Sequence, residues 1–362
     1  MKIAIDCRMI HASGVGVYLQ GCLPFLLASS NEFLLIGNRN DLSAYSRCDN
    51  TSILSYDKKP FSLHELLSFP RELKTKINAA DCYYSPYFNI PGGITTPVYT
   101  TIHDLVFLDI PELVSPAGLA ARRWFYRRAF RHSRIIFTVS EFSKSRIEYW
   151  MRFYYPNFEV PVVFTYSAVQ PWILNSKIFY SERKNNIVFI GNIKKHKGLA
   201  CLLEAFTHAR LEGLSHHLVI IGSKDNFRTS DNDILQKIEN LGIDAVSFTG
   251  FVSDKQLAEY IAAASLLVQP SLYEGFGLPP LEAMTLGTKA LVSDIPVFRE
   301  IYAGFPVTFF RSGDAADLKK KLTLLLNNMV PERISLTETQ RTSYTFEKTA
   351  AKIMEALEKD DA

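Results

Sequence analysis

The sequence predicts an α/β protein built of two Rossmann-like, doubly wound domains facing a central cleft. Three observations carry this. Short apolar runs alternate with helix-period segments, the pattern of parallel sheets covered on both faces. A strand, a glycine-bearing loop and a helix follow one another at residues 2–27, and the same unit starts again at residue 186. The chain of 362 residues is also about twice the size of a common single domain.

In chain order, residues 2–6 read as a strand, residues 11–16 as a loop carrying Gly14 and Gly16, and residues 17–27 as an apolar helix. Residues 33–37, 53–56, 82–85, 98–102 and 135–139 read as buried strands with helix-like segments between several of them. Periodicity weakens over residues 155–186, where Pro156, Pro161, Pro171 and a polar run mark the passage between domains. The second series has strands at 186–191, 218–221, 245–249, 266–268 and 290–292, with a helix at 199–209. The expected domains are residues 1–168 and 169–342, with a closing helix in 343–362 that packs back on the N-terminal domain. Ligands of such sheets bind outside the carboxyl ends of the strands, which points to the cleft between the two domains.

Composition narrows the function classes. With 47% hydrophobic and 21% charged residues and a mean hydropathy of +0.02, the chain reads as an ordinary soluble globular protein, not a disulfide scaffold or a disordered chain. A net charge of +3, from 40 basic and 37 acidic residues, excludes a dedicated nucleic-acid binder. Cys7, Cys22, Cys48, Cys82 and Cys201 include no CxxC pair, so reduced, buried thiols and a cytoplasmic setting are expected, without structural zinc. The opening MKIAIDCRM meets Asp6 and Arg8 too early for a signal peptide. The longest weakly polar stretch, residues 258–268, is too short for a membrane span.

The most informative segment is SLYEGFGLPPLEAM at residues 271–284. Gln269, Pro270 and Ser271 close a buried strand, Gly275 and Gly277 make a loop with little side-chain bulk, and Pro279 and Pro280 suit a first helical turn. Backbone amides there are placed for an anion. Glu274 sits at the loop tip and Glu282 about one turn into the helix, so both carboxylates can border one pocket. Carboxylates beside a phosphate more reasonably accept hydrogen bonds from sugar hydroxyls. Spacing alone also fits a helix-start carboxylate with a solvated glutamate.

EGFGLPPLEAM, with Glu274 and Glu282 separated by seven residues, resembles the E-x7-E motif of family 4 glycosyltransferases, retaining nucleotide-sugar-dependent enzymes of GT-B fold. The resemblance extends over nearly the whole chain. IDCRMI and SGVGVY resemble the opening strand and loop, TTIHDLVFLDIPE and TVSEFSKSRI the central N-domain motifs, VFIGNIKKHKGLACLLEAF the C-domain opening, TGFVSDKQLAEYIAAASLLVQPS the stretch before E-x7-E, and SYTFEKTAAKIM the closing helix.

The resemblance implies roles. Glu274 would touch the donor sugar, Glu282 the ribose, and the amides of Gly275, Phe276, Gly277 and Leu278 the sugar and diphosphate. Lys197 would bind the diphosphate, Gly14 and Gly16 would let the first helix approach the same phosphates, and His103 would lie near the sugar. The implied catalytic set is Glu274, His103 and Lys197. Asn192 stands where many members have arginine, leaving Lys194, Lys195 or His196 to supply the charge. Tyr166, Ser167, Ala168 and Val169 replace the family's Asn-Gly turn, which bears on the hinge. The implied reaction is a front-face displacement without a covalent nucleophile, metal or further cofactor, the nucleotide-sugar being a substrate. GNIKKHK is similar to mannosyltransferases of surface-polysaccharide assembly, which favours GDP-mannose over UDP- or dTDP-sugars and a glycan or lipid-linked oligosaccharide acceptor.

Asp104 either orients His103 or caps the next segment, and Ser140, Glu141 and Ser143 form a helix N-cap cluster, with an acceptor role open to Glu141. The one internal DxD, Asp231-Asn232-Asp233, reads as a cap before residues 234–241. Residues 121–134, ARRWFYRRAFRHSR, place Arg123, Arg127, Arg128, Arg131 and Arg134 on one helical face with Trp124, while Phe125, Tyr126, Ala129 and Phe130 take the other. That face suits an anionic membrane surface, on the inner side of the cytoplasmic membrane, or simply a solvated flank. Arg122 falls inside the apolar arc. Two rivals stand beside the transferase. A dinucleotide enzyme lacks its third glycine at Leu19, and its Tyr180-x-x-x-Lys184 match lies in a polar connector. A non-catalytic sugar-nucleotide-binding protein is the other.

Overall fold

The computed structural model of the chain describes all residues except 177, 179–182, 193, 223–237, 239, 240, 243, 327–332 and 362. It divides into two compact units, Met1–Gln170 with Tyr344–Ala362, and Pro171–Ser343.

Unit 1 holds a seven-stranded sheet in the order β3-β2-β1-β4-β5-β6-β7. The strands are β1 Lys2–Asp6, β2 Glu32–Gly37, β3 Thr51–Ser55, β4 Cys82–Ser85, β5 Val98–Thr101, β6 Ser133–Thr138 and β7 Val162–Phe164. Each neighbouring pair is parallel, with Ile5 of β1 opposite Leu35 of β2 and Tyr84 of β4. Both faces are buried: Tyr83 and Ile136 point to one, with apolar clusters around Ile77 and around Phe130 and Ile147, and Ile5, Leu35 and Tyr84 point to the other. Unit 2 holds a six-stranded sheet in the order β10-β9-β8-β11-β12-β13. Its strands are β8 Lys184–Ile190, β9 His217–Ile221, β10 Val246–Gly250, β11 Ala264–Gln269, β12 Lys289–Ser293 and β13 Val307–Phe310. All are parallel, and Phe189, Leu202, Phe206, Leu266 and Val268 belong to the main core. Both sheets are Rossmann-like: the strand order reverses between β1 and β4 in one and between β8 and β11 in the other.

Three local readings are corrected. Residues 11–16 are not a loop throughout, because the first helix spans Ser13–Leu27 and includes Gly14 and Gly16. A Cβ on Gly16 would stand 2.5 Å from the carbonyl oxygen of Ile10, so the close approach of two backbones accounts for that glycine. The arginine-rich helix spans Pro116–His132, and Arg134 lies on β6 instead of sharing its face. Strands β7 and β13 are additional; their apolar runs are only three and four residues long and partly exposed. Of the five free cysteines, Cys7, Cys22 and Cys82 are buried and Cys48 and Cys201 half-buried.

The Phe346–Asp361 helix packs on the first helix within unit 1. Gly21 makes room for it, since a Cβ there would fall 2.2 Å from the Phe346 ring. Thr349 donates its hydroxyl to the Thr165 carbonyl at 2.9 Å, and Asp360 accepts from Tyr99 at 2.6 Å. Just after β7, Tyr166 has φ 57°, the left-handed turn that the resemblance assigned to Asn-Gly, with its ring against Tyr344 at 5.1 Å.

Candidate functional site

In unit 2 the loops after the adjacent strands β8 and β11 open at the switch point, where an α/β sheet receives ligands. After β8 the chain turns through Lys195–Lys197 and reverses at Gly198, whose φ is 71°. A Cβ at Gly198 would meet the Pro270 carbonyl oxygen at 1.8 Å, so glycine lets this turn close against the end of β11. The Leu272 amide donates to the His196 carbonyl at 2.7 Å and ties the two loops together. The result is a short-range pair: Lys197 Nζ lies 2.8 and 2.7 Å from the two carboxylate oxygens of Glu274. Their side chains are 23% and 9% exposed, so the ammonium reaches solvent while the carboxylate is held from behind.

Two residues that the sequence reading left as mere strand end hold Glu274 in place. Ser271 donates to Oε1 at 2.7 Å, and buried Gln269 donates to Ser271 Oγ at 2.9 Å and reaches Glu274 Oε1 at 3.4 Å. An i,i+3 Ser–Glu pair right after a strand was the available signal.

The glycine loop follows. Gly277, with φ 84°, caps the Leu278–Thr285 helix, and a Cβ there would stand 2.3 Å from the Phe298 ring. Tyr302 donates to the Gly277 carbonyl. Pro279 and Pro280 carry no amide hydrogen, so the donors that can face an anion here are confined to Gly275, Phe276, Gly277 and Leu278. Glu282 is buried on that helix, and its side chain makes no hydrogen bond among the described residues. Burial, with Asp254 adding like charge, pushes its carboxyl up to about 7. It therefore changes charge near neutrality. Burial and neighbouring Lys197 bring His196 down to about 4, so it is neutral and supplies no cation in place of the arginine absent at Asn192. Lys194 and Lys195 are exposed.

In unit 1, His103 follows β5. Its Nε2 is 2.9 Å from the Pro86 carbonyl, and its ring meets Tyr18 edge-on at 5.0 Å. A carbonyl only accepts, so Nε2 carries the proton and Nδ1 keeps a lone pair. Burial brings this imidazole down to about 4. Asp104 caps the next turn by accepting from the Val106 amide at 3.1 Å. Ser140 caps the Glu141–Tyr154 helix by accepting from the Ser143 amide at 3.0 Å, and Ser143 Oγ donates to the His103 carbonyl at 3.2 Å. Gly14 has open space around its Cβ position.

A second cluster, unforeseen from sequence, lies at the carboxyl end of β1. Arg8 donates through Nε to Asp6 at 2.8 Å and through Nη2 to Asp6 and to Glu65. Tyr83 donates to Asp6 at 2.7 Å and Asn89 to Glu65 at 3.0 Å. Burial raises the Asp6 carboxyl, but Arg8 outweighs it and holds it below the usual range; Glu65, burdened by burial and by Asp6, is raised. The DCR triplet at the end of an apolar strand was the sequence signal.

On the Pro116–His132 helix, Arg123, Trp124, Arg127 and Arg131 are exposed and Arg128 is half-buried. Arg128 donates to the carbonyls of Ile90 and Pro91 at 3.2 and 3.1 Å. Arg127 donates to Tyr155 Oη at 3.2 Å and lies over Tyr154. Arg122 packs over the Phe107 ring at 4.3 Å and donates to the Gly118 carbonyl, which accounts for a charge inside the apolar arc. Among the described residues no helix is long and apolar enough to cross a membrane. Asp231, Asn232, Asp233 and Tyr180 lie outside the described residues.

Residues 173–342 match the family of glycosyl transferases group 1. The chain is 27% identical over 229 residues to O-antigen chain mannosyltransferase B of Escherichia coli, a match spanning 60% of this chain and 58% of that protein. Its fold matches sucrose-phosphate synthase of Thermosynechococcus elongatus with a TM-score of 0.70, at 16% identity over 99% of this chain and 98% of the other. It also matches Anabaena HepE, solved with UDP and glucose, with a TM-score of 0.68 at 16% identity over 99% of this chain and 100% of the other. The fold is thus GT-B-like.

Proposed function

We propose that the chain, whose residues 173–342 match the group 1 glycosyl transferases, transfers a sugar from a nucleotide-sugar as a retaining, metal-independent hexosyltransferase acting on a glycan or lipid-linked oligosaccharide in surface-polysaccharide synthesis. One observation carries the reading. Glu274 is fixed at the switch point of unit 2 by Ser271 and Lys197, beside a loop of backbone amides that leads into a helix.

In this reading the donor lies on unit 2, in the C-terminal domain of the expected 169–342 division. The diphosphate takes Lys197 and the amides of residues 275–278; the sugar hydroxyls take Glu274; the ribose takes Glu282. Unit 1 serves the acceptor side, and His103 offers a neutral Nδ1 to a sugar hydroxyl, while the first turn at Gly14 favours phosphate and Gly16, whose amide is bonded to the Ala12 carbonyl, supplies only the close packing of that turn. The bond from the anomeric carbon to the leaving phosphate oxygen breaks while the acceptor oxygen bonds on the same face. The acceptor proton passes to the departing phosphate. Lys197 and the amides stabilise the charge that grows on the diphosphate, where a preorganised cation counts most.

Mannose is the favoured sugar, from GDP-mannose, because the relative named above is a mannosyltransferase. A UDP-sugar is the second reading, since HepE is solved with UDP and glucose. The exposed arginines and Trp124 would hold the protein on an anionic membrane face, where a lipid-linked acceptor lies. A thermal-shift series with GDP-, UDP- and dTDP-sugars, followed by transfer with the stabilising donor, tests the function. One nucleotide-sugar should stabilise the protein and be turned over. Stabilisation by NAD(P) with hydride transfer, or nucleotide binding without any donor turnover, would contradict it.

A further inference from the structure

Unit 1 contains an open cavity of about 560 Å³ that the proposed reaction does not use. Its walls come from the amino-terminal ends of three strands: Val98 opens β5, Ser133 opens β6, and Pro161 precedes β7. Substrates of such sheets bind at the carboxyl ends, where Asp6 and His103 lie, so this cavity is on the opposite edge.

The end of the arginine helix delivers the cavity's charge. Arg128, Arg131 and His132 line it together with Arg134 from β6. Arg134 is held by Asp360 at 2.5 Å, and the one acidic wall residue, Glu159, is 3.8 Å from Arg152. Arg128 and Arg131 have no carboxylate partner among the described residues. Arg128 spends two N–H groups on Ile90 and Pro91, which fixes its guanidinium and leaves further donors. The Arg131 side chain makes no hydrogen bond among the described residues and rests over the Tyr155 ring at 5.6 Å. The pocket is electropositive: besides burial, both arginines depress His132.

The rim is apolar. Phe158 lines the cavity and is 39% exposed, with Tyr155 beside it at 6.1 Å between rings. Trp124, 48% exposed, lies 5.8 Å from the Arg128 guanidinium. A pair of guanidinium groups unmatched by carboxylates, bordered by exposed aromatic rings, fits a phosphate attached to an apolar body. We propose that this cavity binds the phosphate of an anionic lipid headgroup, with Arg128 and Arg131 as its ligands. The proposal rests on the membrane-facing reading of the same helix and converts a diffuse attraction into a defined site.

The test compares wild type with Arg131→Gln and Arg123→Gln. The Arg131 side chain makes no hydrogen bond among the described residues, and Arg123 shares the helix but does not line the cavity, so both variants should fold; circular dichroism checks this. Binding is measured to vesicles of equal parts phosphatidylethanolamine and phosphatidylglycerol, and to sn-glycerol 3-phosphate and inorganic phosphate in solution. Arg123→Gln should lose about fivefold in vesicle affinity, the effect of one surface charge. Arg131→Gln should lose about tenfold more than that, as charge-assisted hydrogen bonds imply. Glycerol phosphate should compete with vesicles for wild type. Equal losses in the two variants would overturn the pocket while leaving membrane attraction standing. No vesicle binding by wild type would overturn both. Saturation by inorganic phosphate at least as tight as vesicle binding would assign the site to a free phosphate and overturn the lipid.

Discussion

Lys197 and Glu274, 77 residues apart, form a two-pronged ion pair because the strands that precede them are neighbours in one sheet. The pair keeps a cation beside the amide loop without leaving a carboxylate unpaired, and a diphosphate can draw on the ammonium while Ser271 keeps hold of Glu274.

Replacing Lys197 should therefore separate the parts of the donor. Lys197→Ala should weaken binding of the nucleoside diphosphate by about 1.5–3 kcal/mol, the range of a hydrogen bond to a charged group, and leave the nucleoside almost unaffected. Titration calorimetry of both ligands measures this. Equal losses would place the lysine away from the phosphates.

His103 should stay neutral across the working range. With its pKa near 4 and Nε2 bonded to Pro86, nitrogen NMR should show the Nε2–H tautomer at pH 7 and no titration above pH 5.5. The depressed value also gives a sign for stability. The unfolded chain binds the proton near pH 6.5 and the folded one near 4, so stability present at neutral pH is lost as pH falls between them. That amounts to about 3 kcal/mol at most, and His103→Gln should remove its share.

Much of the fold is legible because parallel strands buried on both faces appear as apolar runs, as in Ile3–Ile5 or Leu266–Val268. Periodicity carries no stop signal of its own. Continued at 100° per residue it kept Arg134 on the helix, whereas the chain turns at Ser133 into β6. Gly14 and Gly16 suggested a loop because glycine is a poor helix former, but Gly16 serves the Ile10 backbone within a helix. The motif around Glu274 is local and readable. Its pairing with Lys197, and that of Arg8 with Glu65 across 57 residues, depends on which strands lie side by side, which no local pattern states.

Glu282 should make stability fall as pH rises. Its folded pKa of about 7 lies above the ordinary 4.5, so the folded state keeps a proton that the unfolded state releases, and each step from pH 4.5 to 7 costs stability. Glu282→Gln should recover up to about 3 kcal/mol at pH 8. In the same variant, nucleoside binding should weaken if the carboxylate takes the ribose. Urea unfolding at pH 5 and 8 checks the first point, and an unchanged pH dependence would show that Glu282 ionises normally.

The two helix-start glycines should behave differently. Gly14→Ala meets nothing within 4 Å, whereas Gly16→Ala brings Cβ to 2.5 Å from a backbone oxygen. The first should leave the melting temperature unchanged or slightly higher, and the second should cost about 1–3 kcal/mol. Thermal denaturation of both variants decides this, and equal stabilities would mean that Ile10 yields without cost.

The central claim is that Glu274 acts on the donor sugar during transfer. Its most direct test is donor turnover by Glu274→Gln, measured alongside its affinity for the nucleoside diphosphate. Because Ser271 and Gln269 can still hold the amide, the fold and diphosphate binding should persist. Turnover should drop by about 100- to 1,000-fold, the scale of losing one preorganised polar contact in the transition state. A folded variant that turns over donor at the wild-type rate would contradict the account.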